Sequence, residues 1–135
     1  MKALSLKEPW ASLVAQGIKK METRSWRTNY RGELLIHASM SRVGKTDRER
    51  ALAELLNTPC RQGHILCRCR LTDCVRIDEE FAARLREESP VEYLCGDYTL
   101  GRFAWILEDV RPVEPVRAKG RLGLWEYEQS IPEAE

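Results

Sequence analysis

The stretch from His64 to Val75 constrains the fold more than any other part of the chain. In Ile65-Leu66-Cys67-Arg68-Cys69-Arg70-Leu71 apolar and polar residues alternate, the period of a strand whose two faces differ. Lys2 to Leu6 alternates in the same way, Lys20 to Trp26 is strand-compatible, and Glu33 to Ala38 reads as a buried strand. Phe103 to Asp109 and Leu124 to Tyr127 complete the set. Long strands follow one another without crossover helices, which argues against a doubly wound parallel sheet. The expected class is α+β, mainly β: a small β-barrel of about six strands with two to three short helices.

The helices are placed by their punctuation. Pro9 suits a first helical turn, with Trp10, Leu13 and Val14 on one face and Gly17 as a stop. Thr46 and Glu49 form a capping box for a helix to Leu56, with Leu52, Leu55 and Leu56 as its apolar side. Asp78 caps a third helix that turns Phe81, Ala82 and Leu85 inward and ends before Pro90. Asn29 to Gly32 is a turn, and Gly101, Gly120 and Gly123 mark others. With 135 residues, one domain is expected, over residues 1–129, with a short polar tail at 130–135.

Five cysteines, an odd number, sit in a chain without a recognisable secretory signal or a membrane-length apolar run. Free thiols in a reducing, cytoplasmic setting are expected. Cys67, Cys69 and Cys74 lack zinc-site spacing, and with only two histidines, His37 and His64, no metal or cofactor is expected. His37 lies in an apolar strand, as a satisfied core imidazole or as a catalyst. Phosphate-loop, dinucleotide-binding and serine-hydrolase motifs are absent.

Charge is unevenly spread. Residues 1–50 hold eleven Lys and Arg against five Asp and Glu, a net of +6, and residues 51–135 hold eleven against sixteen, a net of −5. One electropositive side would suit nucleic acid; a solvated surface with segregated charges would look the same. The densest reactive segment is Gly17 to Arg24. On a strand Lys20, Glu22 and Arg24 share a face, and Lys19 reaches the same mouth from the helix exit. Such a cluster binds a phosphate or a polar base, performs acid-base work, or is an exposed salt-bridge ladder. Trp10, Trp26 and Tyr30 flank it, with Arg24, Arg27 and Arg31 interleaved. Flat rings beside cations are the ingredients of base stacking and phosphate contact; the tryptophans could equally be core.

Gly17, Lys19, Glu22 and Arg24 match the motif G-x-K-x-x-E-x-R. With Pro9 to Leu13, Arg24 to Trp26, Arg31 to Ala38, Gly96 to Tyr98 and Lys119 to Trp125, nearly the whole chain resembles the ASCH domain, named for activating signal cointegrator homology. The later segments are similar to those of bacterial and phage stand-alone members. The resemblance implies a PUA-like barrel with a cleft beside the first helix, lined by Lys19, Glu22 and Arg24. It implies binding of RNA or other single-stranded nucleic acid, or of a nucleotide, with Trp10, Trp26, Arg27, Tyr30 and Arg31 as further contacts. Family members that are acetylcytidine amidohydrolases keep a lysine at position 19 but a threonine where Glu22 stands, with a glutamate downstream. If the chain is a hydrolase of modified nucleosides or RNA, Lys19 and Glu22 are its expected catalytic pair. A protein-interaction adaptor is the third alternative.

Overall fold

The computed structural model of the chain describes residues 1–132. Among these, six strands form one sheet: β1 (Lys2–Leu6), β2 (Met21–Arg24), β3 (Gly32–Ala38), β4 (His64–Arg76), β5 (Phe103–Arg117) and β6 (Leu124–Glu126), in the order β2-β5-β4-β3-β1-β6. β1 and β3 run parallel, and the other neighbouring pairs are antiparallel. Four short helices accompany them: α1 (Trp10–Ala15), α2 (Asp47–Ala53), α3 (Glu79–Glu88) and α4 (Pro90–Cys95). The sheet curls into a half-barrel.

The middle strands are apolar because both of their faces are covered. Leu34, Ile36 and Ala38 of β3 and Leu4 and Leu6 of β1 join the larger core with Ala11 and Val14 of α1. Ala3 and Leu35, on the opposite face, pack with Ile65, Val113 and Trp125. Trp105 of β5 is fully buried in the larger cluster. Cys67 and Cys69 share that core, as the alternation predicts. Burial pushes the Cys69 thiol up to about 12 and Cys67 well above its ordinary value, so neither forms a thiolate at neutral pH.

Curvature has a visible source. The β4–β5 ladder slips between Ile65 and Cys67, between Arg68 and Arg70, and between Leu71 and Asp73. Each bulge bends the strand that carries it and increases the local twist. On the partner strand Asp109 takes a φ of 53°, and Pro112 stands opposite Cys67 at one of the shifts.

Three elements differ most from expectation. β5 runs on to Arg117 rather than ending at Asp109, because its prolines fall at bulges, where no ladder donor is needed. The second helix is Asp47–Ala53, shorter than Thr46–Leu56: Thr46 does cap it through the Glu49 N–H at 3.1 Å, but Leu55 is left exposed. The chain after α3 starts a fourth helix at Pro90, against the expected two to three, because proline is well suited to a first helical turn. Of the expected tail, Ile131 packs against the smaller cluster that holds Val113 and Trp125, and residues 133–135 lie outside the described residues. No helix among the described residues is long and apolar enough to cross a membrane.

Candidate ligand cleft at the open seam

Curling brings the two ends of the sheet together without joining them. β6 covers only Lys2, Ala3 and Leu4 of β1, so the strand edge from Ser5 onward has no β6 partner. Across the gap lies β2, the opposite edge strand. Arg24 of β2 spans it, its Nη2 donating to the Ser5 carbonyl at 3.1 Å. Beside this tie the seam opens into a hollow of about 240 Å³, lined by Ser5 to Lys7, Trp10, Lys19, Glu22 to Arg24, Arg48 and Cys95 to Asp97. Ligand pockets commonly enclose roughly 300–1,000 Å³, so this hollow suits a single small group such as a base.

Its floor is an ionic cluster. Lys19 is 1% exposed, with Nζ 3.3 Å from Glu92 Oε2 and 5.8 Å from the Tyr98 ring centroid. Glu92 is satisfied on all sides: it also accepts the Lys20 N–H at 2.6 Å and the Tyr98 hydroxyl at 3.2 Å. The phenol of Tyr98 is held protonated by burial and by the Glu92 charge. Glu22, whose side chain is 12% exposed, lies 3.2 Å from Arg24 Nε. Burial raises its carboxyl above the ordinary 4.5, against the opposing pull of Arg24 and then Lys19. Arg24 Nε is buried and lacks a hydrogen bond of good geometry, so the pair is an electrostatic contact with donor capacity to spare.

The walls are anchored to one another. Trp10 Nε1 donates to the Cys95 carbonyl at 2.7 Å. Arg48 Nη2 caps the exit of α4 through the carbonyls of Leu94 at 2.8 Å and Gly96 at 2.9 Å. The Asp97 N–H reaches Thr23 Oγ1 at 3.2 Å. Hydrogen bonds from Thr99, with help from Arg102, hold the Asp97 carboxyl below its usual range. At the mouth Lys7 pairs with Glu49 of α2 at 3.1 Å. The cleft therefore offers donors and acceptors side by side, and among the described residues no group of three or more His, Cys, Asp or Glu is placed to hold a metal ion.

Of the eight residues expected to contact a ligand, Trp10, Lys19, Glu22 and Arg24 line this hollow; Trp26, Arg27, Tyr30 and Arg31 lie outside it. Trp26 packs edge-on against Trp105 with centroids 4.7 Å apart, and Arg27 lies over Phe103 at 5.8 Å. The Tyr30 hydroxyl donates to the Glu33 carbonyl at 2.6 Å. Arg31 donates to the carbonyls of Thr28 and Tyr30. The shared face of Lys20, Glu22 and Arg24 is also divided: Glu22 and Arg24 line the cleft, whereas Lys20 does not and is exposed. His37 is a core imidazole. Its Nε2–H donates to the Ala118 carbonyl at 2.7 Å, so Nδ1 accepts the Ser5 hydroxyl at 3.0 Å, and burial keeps it neutral.

Sequence reasoning missed Glu92, Arg48 and Asp97 as site residues. Gly96-Asp97-Tyr98 carries a signal as a motif, but Arg48 lies within the second expected helix with nothing in the pattern to single it out. Glu92 sits 73 positions from the lysine it pairs with, in a segment that showed no helix.

A model of the ASCH domain matches residues 4–117. Activating signal cointegrator 1 of Mus musculus is 46% identical over 55 residues, 41% of this chain, and its Homo sapiens counterpart 56% over 36 residues, 27% of this chain. The matched regions are 9% and 6% of those longer proteins. Among solved structures, the ASCH protein from Zymomonas mobilis superposes with a TM-score of 0.55 at 18% identity, over 86% of this chain and 72% of that one. A tyrosine-to-phenylalanine mutant of the same protein gives 0.53 at 19%, over 86% and 74%. The likeness to those structures establishes a shared PUA-like fold. With the family model spanning most of its length, from β1 to the end of β5, the chain belongs to the ASCH domain family.

Proposed function

We propose that the cleft binds one nucleotide unit of RNA or another single-stranded nucleic acid. The observation that carries this reading is the convergence of Glu22, Arg24, Arg48 and Trp10 on a hollow the size of a base, at the open seam of a fold associated with RNA binding. Arg24 and Arg48 supply donors for phosphate or for a base carbonyl; Glu22, Asp97 and Thr23 supply the complementary edge, and the Trp10 ring a flat apolar wall. Lys19 acts from beneath. Fully buried and held by Glu92, it contributes positive potential to the floor and an electrostatic pull on Glu22.

The test is binding of a labelled single-stranded RNA as salt is raised. Affinity is expected to fall steeply with salt, and Arg24→Ala to weaken it by about tenfold or more, in line with a charge-assisted hydrogen bond of roughly 1.5–3 kcal/mol. RNA binding that is absent at low salt, or indifferent to Arg24, overturns the reading.

One observation favours a hydrolytic second reading: Glu22 is a carboxyl with a raised pKa in a pocket, near a cationic group, which is the environment of a general base or acid. Lys19 would then stabilise developing negative charge. Turnover of acylated cytidine or RNA that disappears in Glu22→Gln would establish it, and equal turnover in the two proteins would remove it.

A further inference from the structure

A second hollow lies on the far side of Ser5, between the β5–β6 loop and β6. It is lined by Arg117, Lys119 and Arg121 on one side and by Trp125 and Tyr127 on the other. The three cations are exposed, and among the described residues none has a carboxylate partner within ion-pair distance. Of the two acids that also line it, Glu126 is engaged by Lys2 at 3.5 Å, which leaves Glu128, among the described residues that line it, to offset three positive charges. The arginine-rich hollow on the sheet face is different: there Glu33 takes Arg68 at 2.8 Å and Asp109 takes Arg111 at 3.2 Å.

The loop that carries the cations is fixed against the cleft wall. A Cβ on Gly120 would stand 2.6 Å from Ser5 Oγ and 2.7 Å from His37 Cε1, so the backbone between Lys119 and Arg121 lies directly on Ser5. The Ser5 carbonyl is also the acceptor of Arg24, so a single residue separates this loop from the cleft. Tyr127 and Trp125 meet edge to face at 6.3 Å. Tyr127 is only half-buried, which leaves part of its ring to solvent.

We propose that this hollow holds the sugar-phosphate backbone next to the nucleotide in the cleft, with phosphates on Lys119 and Arg121 and a base against Tyr127. The proposal rests on the nucleotide-binding reading of the cleft and adds the direction in which the strand leaves it. Unpaired cations beside an aromatic face suit a single strand in particular, because phosphate contact and stacking are both indifferent to sequence.

The experiment compares the full chain with Lys119→Ala/Arg121→Ala on two probes: a labelled single-stranded RNA oligonucleotide and a free nucleoside monophosphate. Oligonucleotide affinity is expected to fall about tenfold, and its log–log salt slope to flatten by roughly 1.4, about 0.7 for each phosphate no longer neutralised. Mononucleotide affinity and the thermal midpoint are expected to stay at parent values, and Lys119→Arg/Arg121→Lys to restore both oligonucleotide affinity and slope. Unchanged oligonucleotide affinity and slope, with Arg24→Ala still harmful, would overturn the proposal and leave the cleft reading standing. An acidic peptide that binds the parent through Lys119 and Arg121, while the oligonucleotide ignores them, would overturn it in favour of a protein partner. Failure of both probes to bind the parent removes the cleft reading and the proposal together.

Discussion

Lys19 shows how a motif residue can be legible in sequence and still act differently from its neighbours. The spacing of Lys19, Glu22 and Arg24 was readable because all three come from one short peptide. The burial of Lys19 was not, because its counter-charge comes from α4. A buried ion pair is costly to half-remove: an uncompensated charge in the interior destabilises by about 3–5 kcal/mol, whereas apolar replacement of both partners is often close to neutral. Glu92→Ala is therefore expected to lose about that much in denaturant unfolding, since it also orphans the Lys20 N–H and the Tyr98 hydroxyl. Lys19→Met combined with Glu92→Leu should lose less than Glu92→Ala alone. Glu22 gives a prediction of opposite sign. Its pKa is raised in the fold, so the folded protein holds that proton more tightly than the unfolded chain, and ionising it costs stability. The cost is absent below the ordinary value of 4.5, grows as pH rises through the raised folded value, and is complete above it. Glu22→Gln should accordingly raise the thermal midpoint at neutral pH and leave it unchanged well below that ordinary value; a midpoint that falls at neutral pH would contradict this.

Among the elements, strands were easier to recognise than helices, and the reason is length. β4 runs for 13 residues and alternates clearly from Cys67 to Thr72, while α1, α2 and α4 have six or seven residues each, too few for a helical period to stand out. α2 and α4 are held by tertiary ties instead, Lys7 to Glu49 and Arg48 to the exit of α4. Those ties were invisible because they join segments far apart in the chain. The β5–β6 loop is a related case. Gly120 was read as a turn residue, yet what constrains it is close approach: Ser5 and His37 occupy the space a side chain would need. Both neighbours are engaged, Ser5 with His37 and Trp125 and His37 with Ala118, so neither yields easily. Gly120→Ala is expected to cost about 1–3 kcal/mol, the usual range for overpacking, whereas Gly123→Ala meets no neighbour within 4 Å and is strained only by its φ of +67°. Chemical denaturation of the two variants separates steric approach from backbone conformation: a Gly120→Ala protein as stable as the parent would show that the loop is not pinned.

At the scale of the molecule, the site exists because the barrel does not close. Bulges in the β4–β5 ladder curl the sheet until β2 faces the uncovered end of β1, and the short β6 leaves Ser5 to Lys7 free to line the gap. A sheet order cannot be read from strand positions alone, so the seam was not legible in sequence even though most of its strands were. The charge split was, and the positive first 50 residues include Lys7, Lys19, Arg24 and Arg48, all of which line the cleft. A ligand seated there touches β1, α1, β2 and the α4 exit at once, and so adds to the single hydrogen bonds by which Arg24 and Thr23 tie β2 to Ser5 and Asp97. Edge strands and helix ends open most readily, while the interior of a sheet opens only with the whole fold. Binding of a nucleoside monophosphate should therefore slow amide exchange most at residues 21–24 and 95–97. Exchange at 34–36 and 67–71, inside the β3–β4 ladder, should change only as far as global stability does. Protection confined to the sheet interior, or spread evenly over the chain, would mean that the ligand binds somewhere other than the seam.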